Sequence, residues 1–181
     1  MTSPLTRRTW LTAVVAATVT LSRVSYASGV DPALQGAILG KALSYDKTRK
    51  APSLEGKPPP KPNLLVVAAA GDANAAKVAA AFENADVSVR VVSQLSADAA
   101  AASWADAVYV FPKQLTSAIQ ALCITHRLLS MSGDVSDVEG GRASVAIGIT
   151  EGKPQIVINR KRVTDEGHKL SARLLKLARI V

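Results

Sequence analysis

A single cysteine, Cys123, stands in a chain of 181 residues, so no intramolecular disulfide and no thiolate metal cluster can be built. Aromatics make up 4% of the sequence, and the core must come from Ala, Val, Leu and Ile. The two histidines, His126 and His168, have no HxH or HExxH companion, and a metal would need further ligands. No serine occupies a Gly-x-Ser-x-Gly elbow. The run Gly71-Asp72-Ala73-Asn74-Ala75-Ala76-Lys77-Val78 begins like a phosphate loop, but Ala76 replaces the second glycine and Val78 the magnesium-holding Ser or Thr. Catalytic, metal and cofactor signatures are thus missing, and neither an enzyme nor a cofactor is expected.

Other residues that could carry chemistry have plainer readings. Cys123 lies in the apolar run Ala121–Ile124, three positions before His126. A nucleophile–base pair could form that way on one helix face, but a buried, neutral thiol is favoured. Each histidine reads as a helix-end or surface residue. Asp134, Asp137 and Glu139 cluster in the segment 133–141 without the alternating register of a calcium loop, so a solvated acidic turn is expected.

The charge is strongly basic, +8 with 22 Lys and Arg against 14 Asp and Glu. Discounting Arg7, Arg8 and Arg23 of the N-terminal segment brings it to +5. The remaining basic runs, such as Arg160-Lys161-Arg162, are short and lack interleaved aromatics for base stacking. They read as solvated surface, and no nucleic-acid partner is expected.

Residues 1–27 have the three parts of a signal peptide: Arg7-Arg8, the apolar stretch Leu11–Leu21, and Ser25-Tyr26-Ala27 with small residues where a signal peptidase needs them. Cleavage is expected after Ala27. Thr6-Arg7-Arg8-Thr9-Trp10-Leu11 resembles a twin-arginine motif, which makes that export route the expected one. The apolar stretch is short for a transmembrane span, so no stable membrane insertion is expected after processing. Residues 28–181 then form one domain, large enough for a core without staples.

Pro32 opens a helix with Leu34, Ile38, Ala42 and Tyr45 on an apolar face. The Pro-rich segment 47–62 reads as a surface connection. Strands are expected at 64–70, 87–92, 107–111 and 128–131, separated by helices at 73–83, from Ser96 to Trp104, and at 114–126. Strands at 144–150 and 155–159 flank a hairpin turn at Glu151–Pro154. A final helix from near Arg160 carries Leu170, Leu174, Leu177 and Val181. The fold class is α/β: a mainly parallel sheet with helices on both faces, a C-terminal β-hairpin and a final helix.

The ending resembles the C-terminal signature of the YfiR/HmsC-like family. Its residues are Gln155-Ile156-Val157-Ile158-Asn159, then Gly167-His168-Lys169-Leu170-Ser171, with Leu174-Leu175-Lys176-Leu177-Ala178 after them. The Gly140-Gly141 pair and Lys41-x-x-x-Tyr45-Asp46 are similar to further features of that family. The resemblance implies a periplasmic α/β domain, often dimeric, that binds an inner-membrane diguanylate cyclase and represses cyclic di-GMP synthesis. The chain lacks the family's cysteine pairs, which speaks against redox sensing, and has Arg142-Ala143-Ser144-Val145 in place of an apolar stretch, which implies a different partner surface.

Asn159 reads as a helix N-cap, Gly167 as a bend, and Leu170, Leu174 and Leu177 as packing residues. Within the signature the structural role is favoured over partner contact. The leading expectation is an exported periplasmic regulator that binds a membrane diguanylate cyclase or sensor kinase, as a homodimer. The alternatives are a non-catalytic module binding a small anionic or aromatic ligand at the sheet's C-terminal edge, and a hydrolase with an unrecognised site.

Overall fold

Unbroken apolar, β-branched runs suit strands covered on both sides, and the computed structural model, which describes residues 29–48, 60–93 and 99–181, places them side by side. The strands are β1 (Asn63–Val67), β2 (Ser88–Val92), β3 (Ala107–Val110), β4 (Leu129–Ser132), β5 (Val145–Thr150), β6 (Lys153–Ile158) and β7 (Arg179–Ile180). They form one sheet in the order β2-β1-β3-β4-β5-β6-β7. All neighbours are parallel except β5 and β6, the expected hairpin. The expected export segment, with Arg7, Arg8 and Ala27, lies outside the described residues, as does Ser96 as a helix cap.

Alternation along the strands divides the core. Leu64, Val66, Tyr109, Met131 and Ile147 face one side. There they meet α1 (Pro32–Leu43), α2 (Ala73–Asn84), α6 (Arg160–Asp165) and α7 (Ala172–Leu177). Leu65, Val67, Val108 and Val110 face the other side, against α3 (Ala99–Trp104) and α4 (Ser117–His126). The short α5 (Val135–Glu139) covers Ala146 and Val157 on that same side. Asp31, Asp72, Thr116, Asp134, Asn159 and Ser171 cap the helices α1, α2, α4, α5, α6 and α7 respectively. Each accepts a first-turn backbone N–H that would otherwise lack a partner.

Tyr109, fully buried, anchors the first side. Its hydroxyl donates to Gln35 Oε1 at 2.7 Å, and its ring meets Phe82 and Phe111 edge-on at 5.7 and 5.3 Å between centroids.

The structure corrects several expectations. The acidic segment 133–141 is no solvated turn. Asp134 caps α5, and the buried Asp137 accepts from Ser132 and pairs with Arg142. The face of α1 is rotated in part: Gln35, Leu39 and Leu43 point to the core beside the expected Ala42, Ile38 and Tyr45 are half-buried against it, and Leu34 is 42% exposed. The cause is close approach between helices. A Cβ on Gly36 would lie 2.8 Å from Ala81 Cβ, and one on Gly40 2.7 Å from Ala85 Cβ. α1 therefore rests on α2 by its glycines rather than by its apolar stripe.

The expected final helix is broken into two. α6 ends at Asp165, Gly167 turns with φ +81°, and α7 starts afresh at the Ser171 cap before β7 closes the chain. Only glycine reaches that φ without strain. Leu174 is consequently buried, whereas Leu177 is 66% and Val181 40% exposed.

Candidate functional site

The C-terminal segment is pinned by a short antiparallel contact with the end of α1. Asp46 bridges Leu170, the Lys47 N–H donates to the Lys169 carbonyl at 2.8 Å, and the Ser171 N–H donates to the Tyr45 carbonyl at 2.9 Å. Within this contact lies His168, buried rather than superficial as the sequence implied. Its Nδ1 is 2.6 Å from Asp46 Oδ2, and its Nε2 is 2.9 Å from the Arg127 carbonyl. Both ring nitrogens face oxygen acceptors, an arrangement that the doubly protonated ring satisfies. Burial by itself lowers the pKa of His168, but the hydrogen bond and charge of Asp46, helped by the Arg127 carbonyl and Glu166, raise it overall. For Asp46, burial raises the pKa, and the bonds from His168 and the Thr48 N–H more than reverse it.

Next to this contact is a polar knot. Glu166 is fully buried at the end of α6. Its Oε1 accepts from Ser130 Oγ at 2.6 Å and Arg162 Nε at 2.8 Å; its Oε2 accepts from Ser144 Oγ at 2.7 Å and the Ser130 N–H at 2.9 Å. Arg162, expected within a solvated basic run, is 7% exposed and reaches the Gln120 carbonyl. Every oxygen of the carboxylate is used, so the knot holds α6 against β4, β5 and α4 rather than presenting a reactive group. Cys123 lies close by, fully buried. Burial, reinforced by the charge of Glu166, pushes its thiol far above the ordinary value, away from the reactive thiolate.

Two hollows open on the same side of the sheet. One, of about 410 Å³, lies between α1 and α7; Ile38, Ile156, Pro154 and Leu177 line it together with the polar Thr150, Glu151, Lys153 and Gln155. Leu34, one turn before Ile38, and Ile149 are also exposed, at 42% and 49%. The other, of about 340 Å³, lies beside His168 at the opposite end of β6. Its floor is Ile158, Val163, Leu170 and Leu175, and its rim carries Lys47, Arg160 and Lys169. Neither uses the crevice outside β1 and β3, where the strand order reverses and doubly wound sheets usually bind ligands; the first opens beside Thr150, at the C-terminal end of β5 and so at the sheet's C-terminal edge, while the second lies at the opposite edge, beside Ile158.

Of the signature residues, Gly140 and Gly141 end α5, Gly141 with φ +71°. Asn159 accepts from the Arg162 N–H and donates to the Val138 carbonyl. A Cβ on Gly167 would meet the Arg127 side chain at 3.5 Å, and Ser171 caps α7. Leu174 is core, Leu175 and Ala178 are half-buried, and Leu177 faces solvent. The structure thus brings Leu175 to one hollow and Leu177 to the other, while the remaining signature residues serve turns and caps. Among the described residues, no three His, Cys, Asp or Glu converge as a metal would require, and no helix is long and apolar enough to cross a membrane.

No protein-family model matches the chain, and no curated protein matches it significantly. Solved structures do. An ABC domain from Streptococcus pneumonia in complex with L-Trp aligns over 83% of this chain and 60% of its own, at 15% identity and a TM-score of 0.54. A conserved domain protein from Vibrio cholerae aligns over 79% and 57%, at 18% identity and a TM-score of 0.53. The fold is shared. The chain spans less than two thirds of the length of either.

Proposed function

We propose that the chain is an exported, non-enzymatic regulator of the YfiR/HmsC-like type. It leaves the cytoplasm with residues 1–27 as a cleaved signal, and in the periplasm it acts as a homodimer on an inner-membrane diguanylate cyclase or sensor kinase. The observation that carries this reading is the apolar groove between α1 and α7. Ile38 and Leu177 belong to stripes that a sequence would devote to a core, yet they line an open groove. Apolar surface of this kind marks protein contact more often than chance. A partner's apolar helix or strand is the complementary occupant. The test is recovery from solubilised membranes with tagged protein. A single inner-membrane signalling protein should be retained by the native chain and lost with Leu177→Asp; equal recovery by both, or recovery of no membrane protein, rejects the groove as the contact.

A second reading, a small-ligand-binding module without catalytic activity, is supported by the hollow beside His168 and by the bound L-Trp of the Streptococcus pneumonia domain that shares the fold. Thermal unfolding against a metabolite panel tests it, because a ligand held only by the folded state must raise stability.

A further inference from the structure

We propose that the hollow beside His168 binds a small organic anion with an apolar body, of the class of medium-chain or aryl carboxylates. This rests on the small-ligand reading and specifies its site and chemistry. Lys47, Arg160 and Lys169 stand on the rim with no carboxylate among the lining residues. The backbone bond between Lys47 and Lys169 holds two of these cations next to each other. The neighbouring acids are committed elsewhere: Asp46 to His168, Glu166 to Arg162 and Asp165 to Lys161. Among the described residues no acid pairs with any of the three rim cations, so a bound anion relieves their mutual repulsion.

The floor sets the second half of the requirement. Ile158 is fully buried, and Leu170 and Leu175 are half-buried beside it. Inorganic phosphate would satisfy the rim and leave this surface wet. A neutral alcohol would cover the floor and leave the cations unpaired. A carboxylate on a short hydrocarbon or ring does both, and about 340 Å³ is at the small end of ligand pockets. No Phe, Tyr or Trp lines the hollow, and the His168 ring is held by Asp46 and the Arg127 carbonyl, which argues against a stacked nucleotide base.

The test is calorimetric titration of the purified chain with four probes: octanoate, octanol, octylamine and inorganic phosphate. Octanoate should bind saturably, the other three at least roughly tenfold more weakly. The double variant Arg160→Glu and Lys169→Glu should weaken octanoate by roughly tenfold or more. Both side chains are exposed, so unfolding should be unchanged. Octanol or octylamine binding as well as octanoate, or octanoate binding that survives charge reversal, overturns the anion site and leaves the small-ligand reading standing. No saturable binding of any probe overturns the site as well; if the metabolite panel is equally silent, the small-ligand reading falls with it.

Discussion

His168 and Asp46 lie 122 positions apart and meet at 2.6 Å, joining the end of α1 to the turn between α6 and α7. The pair makes stability depend on pH in a defined direction. The pKa of His168 is raised in the fold, so its contribution is fully present below about its ordinary value of 6.5 and is lost as pH rises through the folded value. The pKa of Asp46 is lowered, so its contribution is present above its ordinary 3.8 and is lost as pH falls through the folded value. The two overlap between 3.8 and 6.5. Asp46→Asn should therefore cost about 2 kcal/mol near pH 6 and distinctly less near pH 9, as read by urea unfolding at both. An equal cost at both pH values would contradict a protonated His168.

Removing one member of the Glu166 knot should be severe. Glu166→Ala leaves Arg162 charged and buried and takes the acceptor from the Ser130 and Ser144 hydroxyls, at a cost of about 3–5 kcal/mol. Pairing it with Arg162→Met removes the stranded charge and should restore part of the loss. Denaturant unfolding of the two variants measures the difference. A double variant no more stable than the single one would show that the ion pair is not what holds α6.

The close approach of α1 and α2 predicts an effect opposite to helix propensity. Ala is favoured over Gly by about 1 kcal/mol in a helix interior. Gly36→Ala places a methyl 2.8 Å from Ala81 Cβ and 2.9 Å from the Val78 carbonyl oxygen. The net change should be a loss of about 1–3 kcal/mol from overpacking, visible as a lowered Tm. A raised Tm would mean that the helices separate freely.

Much of this architecture was legible because buried parallel strands write themselves as continuous apolar runs: Leu64–Val67 and Ala107–Val110 needed no partner to be recognised. The C-terminal region was harder. The period of Leu170, Leu174 and Leu177 runs straight through residues that the chain uses differently, and only the positive φ of Gly167 and the Ser171 cap separate α6 from α7. His168 was unreadable as a buried residue because its partner, Asp46, is brought to it by the fold alone. Arg162 was hidden in the same way inside a basic run whose other members are exposed. Rotation of α1 was encoded in Gly36 and Gly40, a signal that the more conspicuous stripe of Leu34 and Ile38 obscured.

Export is tested at the N-terminus. Exchanging Arg7 and Arg8 together for Lys should hold the chain in the cytoplasm at full length, whereas the native chain should be recovered from the periplasm cut after Ala27. Fractionation and N-terminal sequencing read both. Unchanged export of the variant would rule out the twin-arginine route, and a native chain that stays cytoplasmic would rule out export itself.

Whether the α1–α7 groove meets a membrane protein is decided most directly by photocrosslinking from position 177 in intact cells. Leu177 is 66% exposed, while Leu174 is 2% exposed. A crosslinker replacing Leu177 should leave unfolding within about 0.5 kcal/mol of native and capture one inner-membrane signalling protein. A correctly folded variant that captures only soluble proteins, or nothing, would contradict the account.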